Sequence, residues 1–211
     1  GSKKMAGSKA GEGAGLAYDR IAQVYLGMAG SSESQRKAKE RIDWLASQVK
    51  GETILDIGCS EGILPVLLGR NKYKVTGIDI NPAAIEYARE LILKEEPEVQ
   101  ERVTFHCISV FSFEPDGQLY DTVVLGEVIE HFETPEAVIS QALTFLKPDG
   151  LLLITTPFGH FPDPGHKQTF TLRSFIQIFH KRVMPISMAV VDGYIRFAAV
   201  NRKPNESDLS L

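Results

Sequence analysis

The chain has 211 residues, 43% hydrophobic and 24% charged, with a net charge of 23 − 27 = −4. That suits one α/β domain with a sizeable core, and the acidic balance disfavours a broad nucleic-acid surface, though not a local basic patch. No apolar run approaches the ~18 residues of a membrane span, no signal-peptide pattern is present, and Cys59 and Cys107 read as free thiols of a cytoplasmic protein.

Residues 1–15 (GSKKMAGSKAGEGAG) cannot build a core and read as a tag remnant and tail, with Met5 as the native start. The domain is expected over 16–202. Apolar residues at helical spacing (Ile21, Val24, Tyr25, Met28) predict a helix over 17–28, and a second follows over 34–49 with Ile42, Leu45 and Val49 inward. Next come a strand at 53–57, a helix at 62–70, a strand at 74–80 and a helix at 82–94, with Pro82 at a position that helix starts tolerate. Strands are expected at 102–108 and 120–126. A helix over 135–146 is closed by Lys147-Pro148-Asp149-Gly150, and a strand follows at 151–156. The pattern ends with a helix at 172–180, strands at 186–191 and 194–201 paired around Asp192-Gly193, and a tail from 203 to 211 that reads as a linker and leaves room for this to be one module of a longer protein. Strands alternating with helices predict a doubly wound, mostly parallel sheet with helices on both faces. The last two strands, following each other directly, predict one antiparallel strand.

The most informative stretch is 54–79, ILDIGCSEGILPVLLGRNKYKVTGID. It reads as strand, glycine-bearing turn, helix, and a second strand ending in a carboxylate, the layout of a nucleotide-binding βαβ unit. Gly58 and Gly62 permit a tight turn and close approach to a ligand, and the following helix begins with unpaired N–H groups. Asp79, 17 residues beyond Gly62, stands where a carboxylate accepts hydrogen bonds from ribose hydroxyls. A dinucleotide fold would carry G-x-G-x-x-G for its pyrophosphate. Here Ser60 occupies the middle place, and Asp56 and Glu61 would repel a pyrophosphate while suiting a ligand with a positive end. NAD and a dehydrogenase are disfavoured on those grounds.

D-I-G-C-S-E-G followed by G-I-D resembles motif I and the acidic strand-2 end of the class I S-adenosylmethionine (SAM)-dependent methyltransferases, and the similarity runs through 17–201. The resemblance implies a Rossmann-like seven-stranded sheet of order 3-2-1-4-5-7-6, with the first helix over the cofactor. It implies a SAM site at Asp56, Gly58, Cys59, Ser60, Gly62, Asp79, Ile80, Ser109, Val110 and Glu127. Ser109 departs from the family, which often has an acidic residue there for the adenine amino group; the Ser109 hydroxyl, the Val110 N–H and apolar walls are the substitutes.

Glu127-Val128-Ile129-Glu130-His131 directly follows the fourth strand. If the segment is helical, Glu127, Glu130 and His131 share one face, as a facial site for a divalent cation or as a carboxylate-oriented general base; a structural role is the third reading. A loop beyond the fifth strand carries His160 and His166, of which His160 reads as an ordinary loop residue. E-x-x-E-H, then T-P and H-x-x-x-F-T, resembles two groups: the ubiquinone-pathway and sugar O-methyltransferases, and the small-RNA 3′-terminal 2′-O-methyltransferases, whose two glutamates and two histidines hold Mg²⁺ or Mn²⁺. Carried over, Glu127, Glu130, His131 and His166 are the candidate catalytic residues and ligands for Mg²⁺, Mn²⁺ or Zn²⁺. The expected function is O-methylation of a hydroxyl on a small metabolite, sugar or glycan. The alternatives are a metal-dependent RNA 2′-O-methyltransferase, for which the candidate basic residues Lys167, Arg173, Lys181 and Arg182 are few, and a non-catalytic SAM-binding partner subunit. An Asn/Asp-Pro-Pro-Tyr run, frequent in amide N-methyltransferases, is absent after the fourth strand.

Overall fold

In the computed structural model, which describes residues 18–160 and 163–209, seven strands form one sheet of order β3-β2-β1-β4-β5-β7-β6. The strands are β1 (Thr53–Ile57), β2 (Lys74–Asp79), β3 (Val103–Cys107), β4 (Tyr120–Gly126), β5 (Leu146–Pro157), β6 (Met184–Val191) and β7 (Tyr194–Val200). Only β7 runs against its neighbours, pairing antiparallel with both β5 and β6. The expected order and the single antiparallel strand are both observed. The reading of residues 1–15 lies outside the described residues.

Alternation along the strands divides the core into two layers. On β1, Leu55 and Ile57 join Val123, Leu125, Ile139, Phe175 and Phe197 on one face. Ile54 joins Leu45, Leu68, Ile85, Val124 and Leu153 on the other. Both faces are covered, as a parallel sheet requires.

The helices are α1 (Ile21–Tyr25), α2 (Ser32–Gln48), α3 (Ile63–Arg70), α4 (Pro82–Ile92), α5 (Pro97–Arg102), α6 (Pro135–Thr144) and α7 (Leu172–Ile178). Local chemistry sets their starts. The Ser31 side chain accepts from the Ser34 N–H before α2, Asn81 accepts from Ala83 and Ala84 before α4, and Thr171 and Ser174 cap α7 reciprocally. Three expectations change. The first helix is far shorter than 17–28, because the chain turns at Gly27 and Gly30 with φ of 75° and 76°. Helix α5 was not expected; Val99 is its one buried residue, too little for a periodic signal. Residues 147–150 belong to an irregular start of β5 rather than to a separate turn, since the Asp149 N–H bonds the Asn201 carbonyl and the Asn201 N–H bonds the Gly150 carbonyl.

β1 and β4 are parallel neighbours whose onward connections depart in opposite directions, to β2 on one side and β5 on the other. Their carboxyl ends therefore open the crevice where such sheets bind ligands. The turn after β1, the segment after β4 and the loop after β5 all meet there.

Candidate functional site

The half of the crevice beyond β1 and β2 is held by backbone geometry. Gly58 has φ 73°, and a Cβ on it would stand 2.5 Å from Val128 Cγ2. Gly62, at φ 78°, would press a Cβ to 2.6 Å from Phe105 Cζ. The Gly58 and Cys59 N–H groups both donate to the Ile78 carbonyl, and the Ser60 N–H donates to Asp79 Oδ2 at 2.9 Å. The motif turn is thus tied to the end of β2. Asp79 also accepts from the Asn81 N–H at 2.9 Å, and burial raises its pKa against those bonds.

A cavity opens beside this turn. Its wall includes Asp19, Arg41, Asp56, Gly58, Ser60 and Glu127. Burial first, then the neighbouring Asp79 and Asp19 charges, pushes the Asp56 carboxyl far up. Burial also raises Glu127, with Arg41 pulling the other way. Glu127 Oε2 has no hydrogen-bond partner among the described residues and lies 4.0 Å from Arg41 Nε. Among the described residues, Arg41 is the one cationic side chain on this wall. It is buried, with its guanidinium 4.7 Å from the centre of the Tyr194 ring. An acidic wall with a single guanidinium fits a zwitterion carrying extra positive charge.

Helix α1 lies against this wall. Asp19 Oδ1 accepts from the Ser60 hydroxyl at 2.7 Å, and Glu61 accepts from Gln23 Nε2 at 2.7 Å and from the Gln23 N–H at 3.1 Å. This corrects one expectation: Glu61 is fully buried and spends its charge anchoring α1 rather than facing a ligand. On the far side, Ile80 and Phe111 are exposed (63% and 51%), while the Val110 side chain is buried in the core. The half-buried Ser109 accepts from the Phe111 N–H at 3.2 Å.

The other half of the crevice lies beyond β4 and β5. Glu127 sits at φ 57°, in left-handed conformation, and a 3₁₀ turn spans Ile129–His131. The expected common helical face of Glu127, Glu130 and His131 therefore does not form. The left-handed residue sends the Glu127 side chain to Arg41, and only Glu130 and His131 face the β5 loop. There they meet His166: one ligand atom from each of Glu130, His131 and His166 lies within 4.8 Å of the others. Glu127 stands outside this trio, and His160 is an exposed loop residue outside it as well.

The trio's geometry is specific. Glu130 is 1% exposed. Its Oε2 accepts from the Thr156 hydroxyl at 2.9 Å, and its Oε1 has no hydrogen-bond partner among the described residues. Burial and the nearby Glu127 charge push its pKa far up. His131 Nδ1 lies 3.0 Å from the Gly165 carbonyl. A carbonyl only accepts, so Nδ1 carries a proton and Nε2 is the ring nitrogen left to face Glu130. That nitrogen is 3.7 Å from Glu130 Oε1. The His166 ring packs edge-on to His131 at 5.0 Å, and burial lowers its pKa.

Residues 31–182 match the family model described as a methyltransferase domain. This chain belongs to the class I SAM-dependent methyltransferases. A ubiquinone biosynthesis O-methyltransferase of Xanthomonas campestris pv. campestris (strain B100) is 33% identical to it over 118 residues, 55% of this chain and 48% of that protein. The chain thus spans about half the length of the curated relatives it matches. Magnesium protoporphyrin IX methyltransferase from Synechocystis PCC 6803, solved with bound SAM, superposes with a TM-score of 0.66 at 19% identity, covering 87% of this chain and 90% of that one. The [4+2]-cyclase SpnF superposes with a TM-score of 0.69 at 16% identity over 81% and 84% of the two chains. One fold therefore carries more than one chemistry, and the activity has to be argued from the side chains.

Two residues of this methyltransferase's site were missed in the sequence. Arg41 reads as one charge among several in QRKAKER. The available signal was its spacing, since Ala38, Arg41 and Leu45 form one buried stripe of α2. Asp19 was seen only as part of the first helix, yet it reaches Ser60.

Proposed function

We propose that this chain is a SAM-dependent O-methyltransferase acting on a hydroxyl of a small molecule, with Glu130, His131 and His166 as its catalytic centre and a divalent cation held among them. The observation that carries the reading is the meeting of two acceptors. Among the described residues Glu130 Oε1 has no hydrogen-bond partner, and it faces His131 Nε2 at 3.7 Å, the carboxylate buried and the imidazole 45% exposed. Two lone pairs so placed repel unless a proton or a cation stands between them. A carboxylate with two imidazoles suits Mn²⁺ or Zn²⁺ and, less well, Mg²⁺.

SAM, when bound, supplies an electrophilic methyl group that transfers by in-line displacement. The chain's own residues do the rest. Asp79 offers its carboxylate to the ribose hydroxyls, and the Gly58 turn lets the backbone approach. The acidic wall of Asp56 and Glu127 favours the ammonium and sulfonium, while Arg41 is placed to hold the carboxylate of the methionine end. Alignment of donor and acceptor accounts for about 7–11 kcal/mol of barrier lowering when the geometry is right. The remaining task is to take a proton from the acceptor hydroxyl or lower its pKa, and the trio does this as base or as cation holder. Glu127 stands beside Arg41 on the cofactor side, so this reading takes Glu130, His131 and His166 as the cation's ligands.

The test is methyl transfer from isotopically labelled SAM to a panel of phenols and catechols, free sugars, and short RNAs with a free 3′ end. The reading expects a methyl ether on a small-molecule hydroxyl, with turnover lost on chelation and restored by Mn²⁺, Zn²⁺ or Mg²⁺. A methylated nitrogen, or transfer confined to the RNA terminus, overturns the acceptor class. Full activity in chelator overturns the cation.

A further inference from the structure

We infer that Thr156 is the positioning residue that sets the catalytic carboxylate, an inference that rests on the reading of Glu130, His131 and His166 as the working trio. Thr156 is fully buried and sits near the end of β5, paired in the sheet with Ile195 of β7. Its hydroxyl donates to Glu130 Oε2 at 2.9 Å. A strand flanked on both sides is the most rigid support the fold offers. Binding one carboxylate oxygen there directs the other, Oε1, at His131 Nε2.

The backbone of the same glutamate is held from the opposite direction. The Glu130 carbonyl accepts from the Lys167 N–H at 2.7 Å and the Gln168 N–H at 3.1 Å, the two residues after His166. Gly165, the residue before His166, takes the His131 Nδ1–H. Glu130 is thus gripped by β5 through its side chain and by the His166 loop through its carbonyl. Its backbone position would survive loss of the threonine hydroxyl, but the orientation of its carboxylate would not. The hydrogen bond of the Thr156 side chain goes to Glu130 Oε2, so Thr156 acts through that carboxylate. Outer hydrogen bonds of this kind are generally worth 10–100-fold in metal affinity.

The experiment compares the full chain as wild type, Thr156→Val and Thr156→Ser. Valine keeps the shape and removes the donor, and serine restores the donor. Mn²⁺ binding is read by electron paramagnetic resonance, with S-adenosylhomocysteine (SAH) affinity and melting temperature recorded for each protein. The inference expects Thr156→Val to bind Mn²⁺ about 10–100-fold more weakly while SAH affinity stays unchanged, and Thr156→Ser to return to within about threefold of wild type. Mn²⁺ affinity in Thr156→Val equal to wild type overturns it. If wild type itself binds no Mn²⁺, the cation reading falls, and a crystal structure of Thr156→Val then decides the positioning claim separately. A Glu130 carboxylate turned away from His131 supports the claim, and one left in place overturns it.

Discussion

The two halves of the crevice are built differently. The half beyond β1 and β2 is centred on one contiguous stretch, 54–79, whose ties are made by backbone N–H groups: Gly58 and Cys59 to the Ile78 carbonyl, Ser60 to the Asp79 carboxylate, with Asp19, Arg41 and Glu127 added to its wall from elsewhere. The half beyond β4 and β5 is assembled from separate segments, Glu130 to Thr156 across 26 positions and His131 to Gly165 across 34. A ligand shared by a whole family can be served by a local motif. A reaction peculiar to one member is served by side chains brought together by the sheet. The SpnF likeness carries the same lesson, because a common fold does not fix what happens at the β4 and β5 ends.

If that division is right, substitutions should separate cofactor binding from chemistry. The largest effect is expected from His131→Ala, which should lower turnover about 10²–10⁴-fold while SAH affinity, measured by calorimetry, stays near wild type. Parallel loss of SAH binding would show that the halves are not independent. Next is Gly62→Ala, which places a Cβ 2.6 Å from Phe105 Cζ at a φ of 78°. It should cost on the order of 3 kcal/mol of stability in urea unfolding, and wild-type stability would refute the tight-turn argument. Arg41→Met should weaken SAH binding on the order of tenfold and leave Mn²⁺ affinity at the trio unchanged. An unchanged SAH affinity would remove Arg41 from the cofactor side.

The smallest effect concerns pH. Burial raises the pKa of Asp56, Asp79, Glu127 and Glu130 above ordinary carboxylate values. A raised folded-state pKa contributes stability that is full below the unfolded value and is lost as pH rises through the folded value. His166 is shifted down, so its contribution runs the other way, present above the unfolded imidazole value and lost on acidification. Four carboxylates outweigh one imidazole, so the melting temperature of the ligand-free protein should fall between about pH 5 and pH 8. Mn²⁺ should remove the share of that slope due to Glu130, and SAH the share due to Asp56 and Asp79. A flat profile would contradict the burial argument.

The sheet was legible because β1, β4 and the hairpin of β6 and β7 are short apolar-rich runs set off by glycine or by Asp192-Gly193. The cofactor motif was legible because its glycines and Asp79 lie close together in the chain. Helix α5 was not, since PEVQER buries only Val99. The helical face conditionally expected to join Glu127 to Glu130 and His131 does not form, because a left-handed backbone at a non-glycine residue leaves no mark in the sequence. Arg41 was hidden among surface charges, and Glu61 was read as facing a ligand when it holds α1. Thr156 was visible only as the end of a strand. Its partner is 26 residues away and is chosen by the pairing of β4 with β5.

The central claim is that the far half of the crevice holds a cation at Glu130, His131 and His166 beside a separately built SAM site. The most direct measurement is anomalous diffraction from crystals grown with SAH and Mn²⁺. The account predicts SAH density along the Gly58 turn and Asp79, with a manganese peak within about 2–2.5 Å of Glu130 Oε1, His131 Nε2 and a His166 ring nitrogen. SAH in place with no anomalous peak among those three residues would contradict it.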